Sequence, residues 1–270
     1  MTDKTTPTVS LATGVEMPVL GLGTWQLTRQ DAVDGTRHAL ELGYRLIDTA
    51  VDYDNQEQIG EGLRTCDIDR DDVFLVSKVE EDEDAYAATG ERVEQLGVDR
   101  LDLCLIHRPP PSGSGEELWD GLIRARQDGL TREIGVSNYS IDQVDRLIEV
   151  SGERPAVNQI EWSPFGHSDE VMNHANRNGV VIQAYSPLTR AERLDDDTLA
   201  EIGDRHGKTP AQVMLRWSIQ VGAPPVPKAA TSSHREENLE VFDFELSETE
   251  MEALGRLNEH YSSLAGLQYI

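Results

Sequence analysis

Lysine is nearly missing from this chain. Its 270 residues contain only four, Lys4, Lys78, Lys208 and Lys228. Basic side chains total 24 against 50 acidic ones, for a formal net charge of −26. A field of that sign repels phosphate backbones, so nucleic acid is excluded as a partner. Cysteine is equally sparse. Cys66 and Cys104 make no disulfide framework, and Cys104 sits in an apolar run as a small core residue. Aromatic residues are only 6% of the chain. No apolar run approaches the ~20 residues that span a bilayer, and the opening residues are polar. The expectation is a cytoplasmic protein with no membrane partner and no metal.

The acids are spread along the chain, with short clusters at 80–84 and 195–197. They read as a solvated acidic surface suited to concentrated salt, which points to a halophilic source. Where lysine is so scarce, the positions that keep it become informative.

No Pro/Gly/Ser-rich linker divides the sequence, so one domain over 1–270 is expected. Short strand-like runs alternate with helix-like segments throughout. The opening "TVSLATGVEMPVLGLG" reads as a hairpin turning at Thr13-Gly14 and running into a first strand that ends near Gly23. Seven more runs follow: "YRLIDTA" (44–50), "VFLVSKV" (73–79), "LDLCLIH" (101–107), "REIGVSN" (132–138), "AVNQIEW" (156–162), "VVIQAYSP" (180–187) and "PPVPKAA" (224–230). A helix over 31–42 is expected to stop at Gly43. Thr209-Pro210 opens another, and Ser247 with Glu250 caps the last long one. Eight strands alternating with helices predict an α/β fold, a (β/α)8 TIM barrel with an N-terminal β-hairpin. The rival doubly wound sheet needs a third glycine after Gly21 and Gly23, where Gln26 stands instead.

In a barrel of this kind, chemistry gathers at the C-terminal ends of the strands. Asp48, Lys78 and His107 end the second, third and fourth runs, and Tyr53 follows Asp48. Ser137 and Asn138 end the fifth, Gln159 lies in the sixth, Tyr185 and Ser186 end the seventh, and Lys228 ends the eighth. Asp48 and Lys78 both emerge from apolar strands, where an unpaired charge is costly, so a pair is expected. A cation beside a phenol lowers its proton affinity from the ordinary pKa of about 10 and makes it a better acid. His107 would orient a carbonyl oxygen. The set suits carbonyl reduction, with hydride from a cofactor. A barrel hydrolase with paired carboxylates fits poorly, because the strand ends hold one carboxylate among basic and amide groups.

The motifs "GLGTW" (21–25), "LIDTAVDYDNQEQIG" (46–60), "VSKV" (76–79), "LDLCLIHRPPP" (101–111), "GVSNY" (135–139), "VNQIEWSPF" (157–165), "YSPL" (185–188) and "VPKAATSSHREENLEVFDFEL" (226–246) occur in one order. Together they resemble the aldo-keto reductase family over nearly the whole chain. The resemblance implies that Asp48, Tyr53, Lys78 and His107 are catalytic, with Tyr53 protonating the carbonyl oxygen of a small-molecule substrate. It implies NADPH as cofactor. Ser137, Asn138 and Gln159 would hold the carboxamide and Tyr185 would stack on the nicotinamide. Ser186, Leu188 and the loop up to Arg193 would meet the pyrophosphate. Lys228 would pair with the 2′-phosphate, assisted by either His234 or Arg235; Thr231 would also bind the cofactor, and Glu237 and Asn238 would reach its adenine end. A monomer is the family default. Ala229 stands where the family has Ser or Thr, and His234 where it often has Arg.

On the substrate side, Glu80 and Arg108 stand where family members carry tryptophans. Trp25 and Trp162 are expected as pocket walls, and Arg108 either binds a carboxylate or points to solvent or pairs with a nearby acid such as Glu80. The tail over 259–270 would close over the pocket or pack Tyr261 and Tyr269 on the rim. A cofactor-binding sensor or regulatory subunit on the same barrel is the competing function.

Overall fold

The computed structural model describes residues 6–264 and 266–269; Lys4 and the tail positions 265 and 270 lie outside them. The chain opens with the expected hairpin. Strands β1 (Thr8–Ser10) and β2 (Glu16–Pro18) pair antiparallel, with Val9 opposite Met17. The turn between them uses Gly14 at φ 88°, a left-handed conformation that glycine adopts without steric cost.

Seven parallel strands then follow in sequence order: β3 (Leu22–Gly23), β4 (Leu46–Asp48), β5 (Phe74–Val79), β6 (Leu101–Ile106), β7 (Thr131–Ser137), β8 (Val157–Glu161) and β9 (Val181–Tyr185). Side chains alternate across them. Ile47, Leu75, Cys104, Ile106, Ile134 and Val136 join the outer core against the helices. Leu46, Phe74, Val76, Leu103, Leu105 and Val157 fill the interior, where Leu11 and Met17 of the hairpin pack against them. These interior residues lie largely toward the strand starts, so the hairpin closes the N-terminal end. Each leucine or isoleucine buried this way contributes about 1.5–3 kcal/mol.

The eighth segment differs from expectation. It is not a regular strand but makes isolated parallel bridges, Ala184 with Pro225 and Gly23 with Lys228. Pro224, Pro225 and Pro227 have no N–H to donate. The seam is closed by bonds from Gly21 N to Pro225 O, Gly23 N to Pro227 O, Ala184 N to Pro224 O and Val226 N to Ala184 O, at 2.9–3.0 Å. A Cβ on Gly23 would lie 2.6 Å from the Val226 carbonyl oxygen. The paired glycines of "GLGTW" therefore permit close approach at this seam.

The helices run α1 (Arg29–Leu42), α2 (Gln56–Arg64), α3 (Ala85–Leu96), α4 (Glu116–Gln127), α5 (Ile141–Ser151), α6 (Asp169–Asn178), α7 (Asp197–His206), α8 (Pro210–Gln220), α9 (Ser232–Leu239) and α10 (Glu248–Gly255). Gly43 caps α1 at φ 116°. Thr209 caps α8 ahead of Pro210, as read from sequence, and Gln212 completes a capping box with it; Ser247 and Glu250 form the expected box at α10, although α10 has only eight residues. Among the described residues, no helix is long and apolar enough to cross a membrane.

Candidate active site

The strand alternation that points Leu46, Val76 and Leu105 inward also points Asp48, Lys78 and His107 inward, two residues further along each chain. At Asp48 and Lys78 the interior turns from apolar to charged. Lys78 is fully buried and Asp48 is 3% exposed. Lys78 Nζ donates to Asp48 Oδ1 at 2.8 Å, to the Thr49 carbonyl at 2.9 Å and to Tyr53 Oη at 3.5 Å. Burial acts to lower Lys78. The charge of Asp48, Tyr53 and the hydrogen bonds to both outweigh it, so the ammonium is held above its ordinary value.

Tyr53 departs from the sequence expectation. Burial raises its phenol, and the opposing pull of Lys78 does not overcome this, so the net direction is upward. The hydroxyl keeps its proton at neutral pH, which is the state a donor needs.

Tyr53 closes the 3-10 turn Val51–Tyr53, which ends on Asp54 at φ 51°. A residue not singled out in the sequence holds this turn. Asn55 is buried and donates to the carbonyls of Thr24 and Leu27 at 2.9 and 2.8 Å, while Thr49 Oγ1 donates to its Oδ1 at 2.9 Å. It lies inside the motif at 46–60, but the contacts are distant in sequence and carry no local signal.

His107 directs its ring at Tyr53, with centroids 6.1 Å apart at 78°. On its other side Nδ1 lies 2.6 Å from Glu80 Oε1. Arg108 is half exposed and pairs with Asp52 Oδ2 at 3.1 Å, with Glu80 Oε2 3.9 Å away. The pairing alternative for Arg108 is thus the one observed. The two positions that replace tryptophan form a charged group beside His107.

The amide set also converges. Ser137 Oγ donates to the Gln159 carbonyl at 2.7 Å, and Asn138 Nδ2 donates to Ser137 Oγ at 3.1 Å and to the His107 carbonyl at 3.2 Å. Tyr185 donates its hydroxyl to Asn138 Oδ1 at 2.7 Å, which fixes its ring. Gln159 Nε2 donates to Asp48 Oδ2 and to Gln183 Oε1, both at 2.7 Å, so the amide set is wired to the carboxylate that pairs with Lys78. Gln183 was not foreseen, though it lies two residues before Tyr185 on the same face of β9.

Beyond β9, Ser186 and Thr189–Ala191 all have positive φ, between 45° and 69°, and half-buried Leu188 anchors the loop in the core. Such non-glycine strain is characteristic of functional loops. Lys228 is exposed and donates to Gln26 Oε1 at 2.8 Å. Thr231 caps α9 by accepting from the backbone N–H of exposed His234. Arg235, expected as a phosphate partner, is buried instead. It donates to the carbonyls of Ala229 and Ala230 and to His38, and so braces the segment carrying Lys228. Glu237 accepts from Thr209 Oγ1 at 2.5 Å, and Asn238 is on the buried side of α9.

The pocket walls need correction. Trp162 is 2% exposed and packs against His167 and Tyr269 in the core rather than on the mouth surface. Trp25 is 37% exposed, and its ring lies under Arg190 at 4.6 Å and Lys228 at 5.9 Å, on the side of the cofactor candidates. The tail packs on the rim. Ser262 and Ser263 donate to the buried Glu161 carboxylate, Tyr269 donates to the Glu161 carbonyl, and Tyr261 and Glu259 bond Glu192 and Arg193.

Known proteins are similar to this chain in sequence and in fold. Residues 19–259 match the model of the Aldo/keto reductase family. An aldo-keto reductase of Mycobacterium sp. (strain MCS) is 39% identical over 258 residues, covering 94% of this chain and 91% of its own. The glyoxal reductase of Bacillus subtilis is 36% identical over 257 residues, covering 93% of each. The crystal structure of a Bombyx mori aldo-keto reductase in complex with NADP superposes with a TM-score of 0.91 at 32% identity, covering 97% of this chain and 95% of that one. The chain belongs to the aldo/keto reductase family.

Proposed function

We propose that the protein is an NADPH-dependent reductase that converts aldehydes or ketones to alcohols, with Tyr53 as proton donor. The observation that carries this reading is the contact of Lys78 with both Asp48 and Tyr53 inside a buried site.

The donor set fits a phosphorylated dinucleotide. Lys228 and the N-terminus of α9, where His234 is exposed, together suit the 2′-phosphate. Ser137, Asn138 and Gln159 would hold the carboxamide, Tyr185 the ring, and Ser186 and Leu188 the pyrophosphate. Glu237 and Asn238 would face the adenine end. When bound, reduced nicotinamide supplies the hydride.

The protein's own residues do the rest. His107 orients the carbonyl oxygen toward Tyr53. Tyr53 gives its hydroxyl proton to that oxygen as negative charge develops there. Lys78, kept cationic by Asp48, stabilises the phenolate left behind. A similar bacterial protein named for glyoxal supports a small carbonyl substrate. The charged group around Glu80 and Arg108 favours a polar one.

The test is NADPH consumption against aldehydes, ketones and keto acids, comparing wild type with Tyr53→Phe. The variant is expected to lose about 10²–10⁴-fold in turnover while binding NADPH normally. Near-normal turnover would refute the donor role. Bound NADPH oxidised once or not at all by 4-nitrobenzaldehyde would favour the sensor reading. A strong preference for NADH in kcat/KM would remove the phosphate role of Lys228.

A further inference from the structure

The exposed cations around the mouth fall into two sets. Arg190 and Lys228 lie over the Trp25 ring, 4.6 and 5.9 Å from its centre. Among the described residues neither is paired with an acid; Lys228 bonds the neutral Gln26. They stand on the side proposed for the cofactor. Arg108 and Arg193 form the other set, and acids engage both. Arg108 Nη2 lies 3.1 Å from Asp52 Oδ2, and its Nη1 lies 3.9 Å from Glu80 Oε2. Arg193 pairs with Glu259 and lies over the rings of Phe165 and Tyr261.

On this second side the acids outnumber the cations. Glu161 continues the inward alternation of Val157 and Gln159 on β8, opposite Tyr185, and is buried. Its carboxylate accepts from Ser262 and Ser263 and, among the described residues, meets no cation. Glu80 stands beside His107 with its side chain 13% exposed. Its backbone N–H donates to Glu83 Oε2 at 2.8 Å, and Glu83 is gripped by the buried Arg92. Glu80 is therefore fixed in place and poorly screened by solvent, so its field reaches a neighbouring ligand.

Asp52 and Glu80 both flank the His107 ring, with oxygens 4.0 and 2.6 Å from Nδ1. A substrate whose carbonyl reaches Tyr53 and His107 brings its other groups beside them. A carboxylate arriving there finds the guanidinium of Arg108 already engaged and two acids of its own sign. An uncharged group meets no such penalty. Repulsion of one ligand class is as effective a source of selectivity as attraction of another.

We propose that Asp52 and Glu80 are specificity-determining residues that select uncharged aldehydes and ketones over carboxylate-bearing ones, by occupying Arg108 and by like-charge repulsion. This rests on the reductase reading above and narrows its substrate class.

The test compares 4-oxobutanoate with its methyl ester as substrates for NADPH-dependent reduction. Two methylenes insulate the aldehyde from the end group, so the ratio of kcat/KM values reports on how that end is received. Wild type is expected to favour the ester about tenfold or more at low salt, with the gap narrowing as potassium chloride is added. Asp52→Asn and Glu80→Gln should each reduce the ratio about threefold or more, as Arg108 becomes free to meet the carboxylate. A merely structural role for either acid would change both substrates alike and leave the ratio as it was. Reduction of 4-oxobutanoate by wild type as fast as the ester, or an unchanged ratio in both variants, would overturn the proposal. Failure of the reductase reading would show instead as no NADPH consumption with either substrate.

Discussion

The ammonium of Lys78 sits 2.8 Å from Asp48 Oδ1, with the two side chains 0% and 4% exposed. Taking one partner away leaves the other charged, buried and unpaired. Lys78→Met is expected to destabilise the fold by about 3–5 kcal/mol in urea unfolding. It should also reduce turnover about a hundredfold or more, because the Tyr53 phenolate loses its counter-charge. A stability equal to wild type would mean that Asp48 had found another partner or a proton.

Glu250 sets an acid limit on stability. Burial acts to raise its carboxyl, but hydrogen bonds from Ser247 and His206 outweigh this and hold it down to about 2. A depressed carboxylate contributes stability above its ordinary value of about 4.3, and that contribution is lost as pH falls toward 2. Urea melts between pH 5 and about 2 should show Glu250→Gln losing less stability over this window than wild type. Parallel curves would exclude Glu250 as the source.

The net charge of −26 is a self-repulsion that salt screens. We expect the melting temperature to rise with potassium chloride, most steeply at low concentration. Equal melting temperatures across the series would remove the basis for reading this surface as an adaptation to salt.

Much of this was readable in the sequence because its signals are local. Apolar runs of strand length, Gly43 after a periodic helix, the Thr209-Pro210 helix start and the capping box at Ser247 each depend on neighbours a few residues apart. Alternation then carried Asp48, Lys78 and His107 to one mouth. What was missed depends on distant contacts. The prolines of 224–227 read as a strand because their apolar character was clear, yet they lack the N–H groups that a ladder needs. Arg235 resembled a phosphate ligand until its burial against the carbonyls of Ala229 and Ala230 was seen. Trp162 sits at a strand end, but its side chain turns into the core beside Tyr269. For Tyr53, proximity to Lys78 was foreseen while the larger effect of burial was not.

The narrow seam has a consequence for both halves of the chemistry. Gly23 is in register with Asp48 on one flank and bridges Lys228 on the other. A single methyl group there would act as a wedge driven between the Asp48 strand and the segment that carries Lys228. Gly23→Ala should therefore weaken NADPH binding and slow turnover together, a double deficit that calorimetry and steady-state rates can separate. A variant with only one of the two defects would mean that the staves yield to the wedge independently.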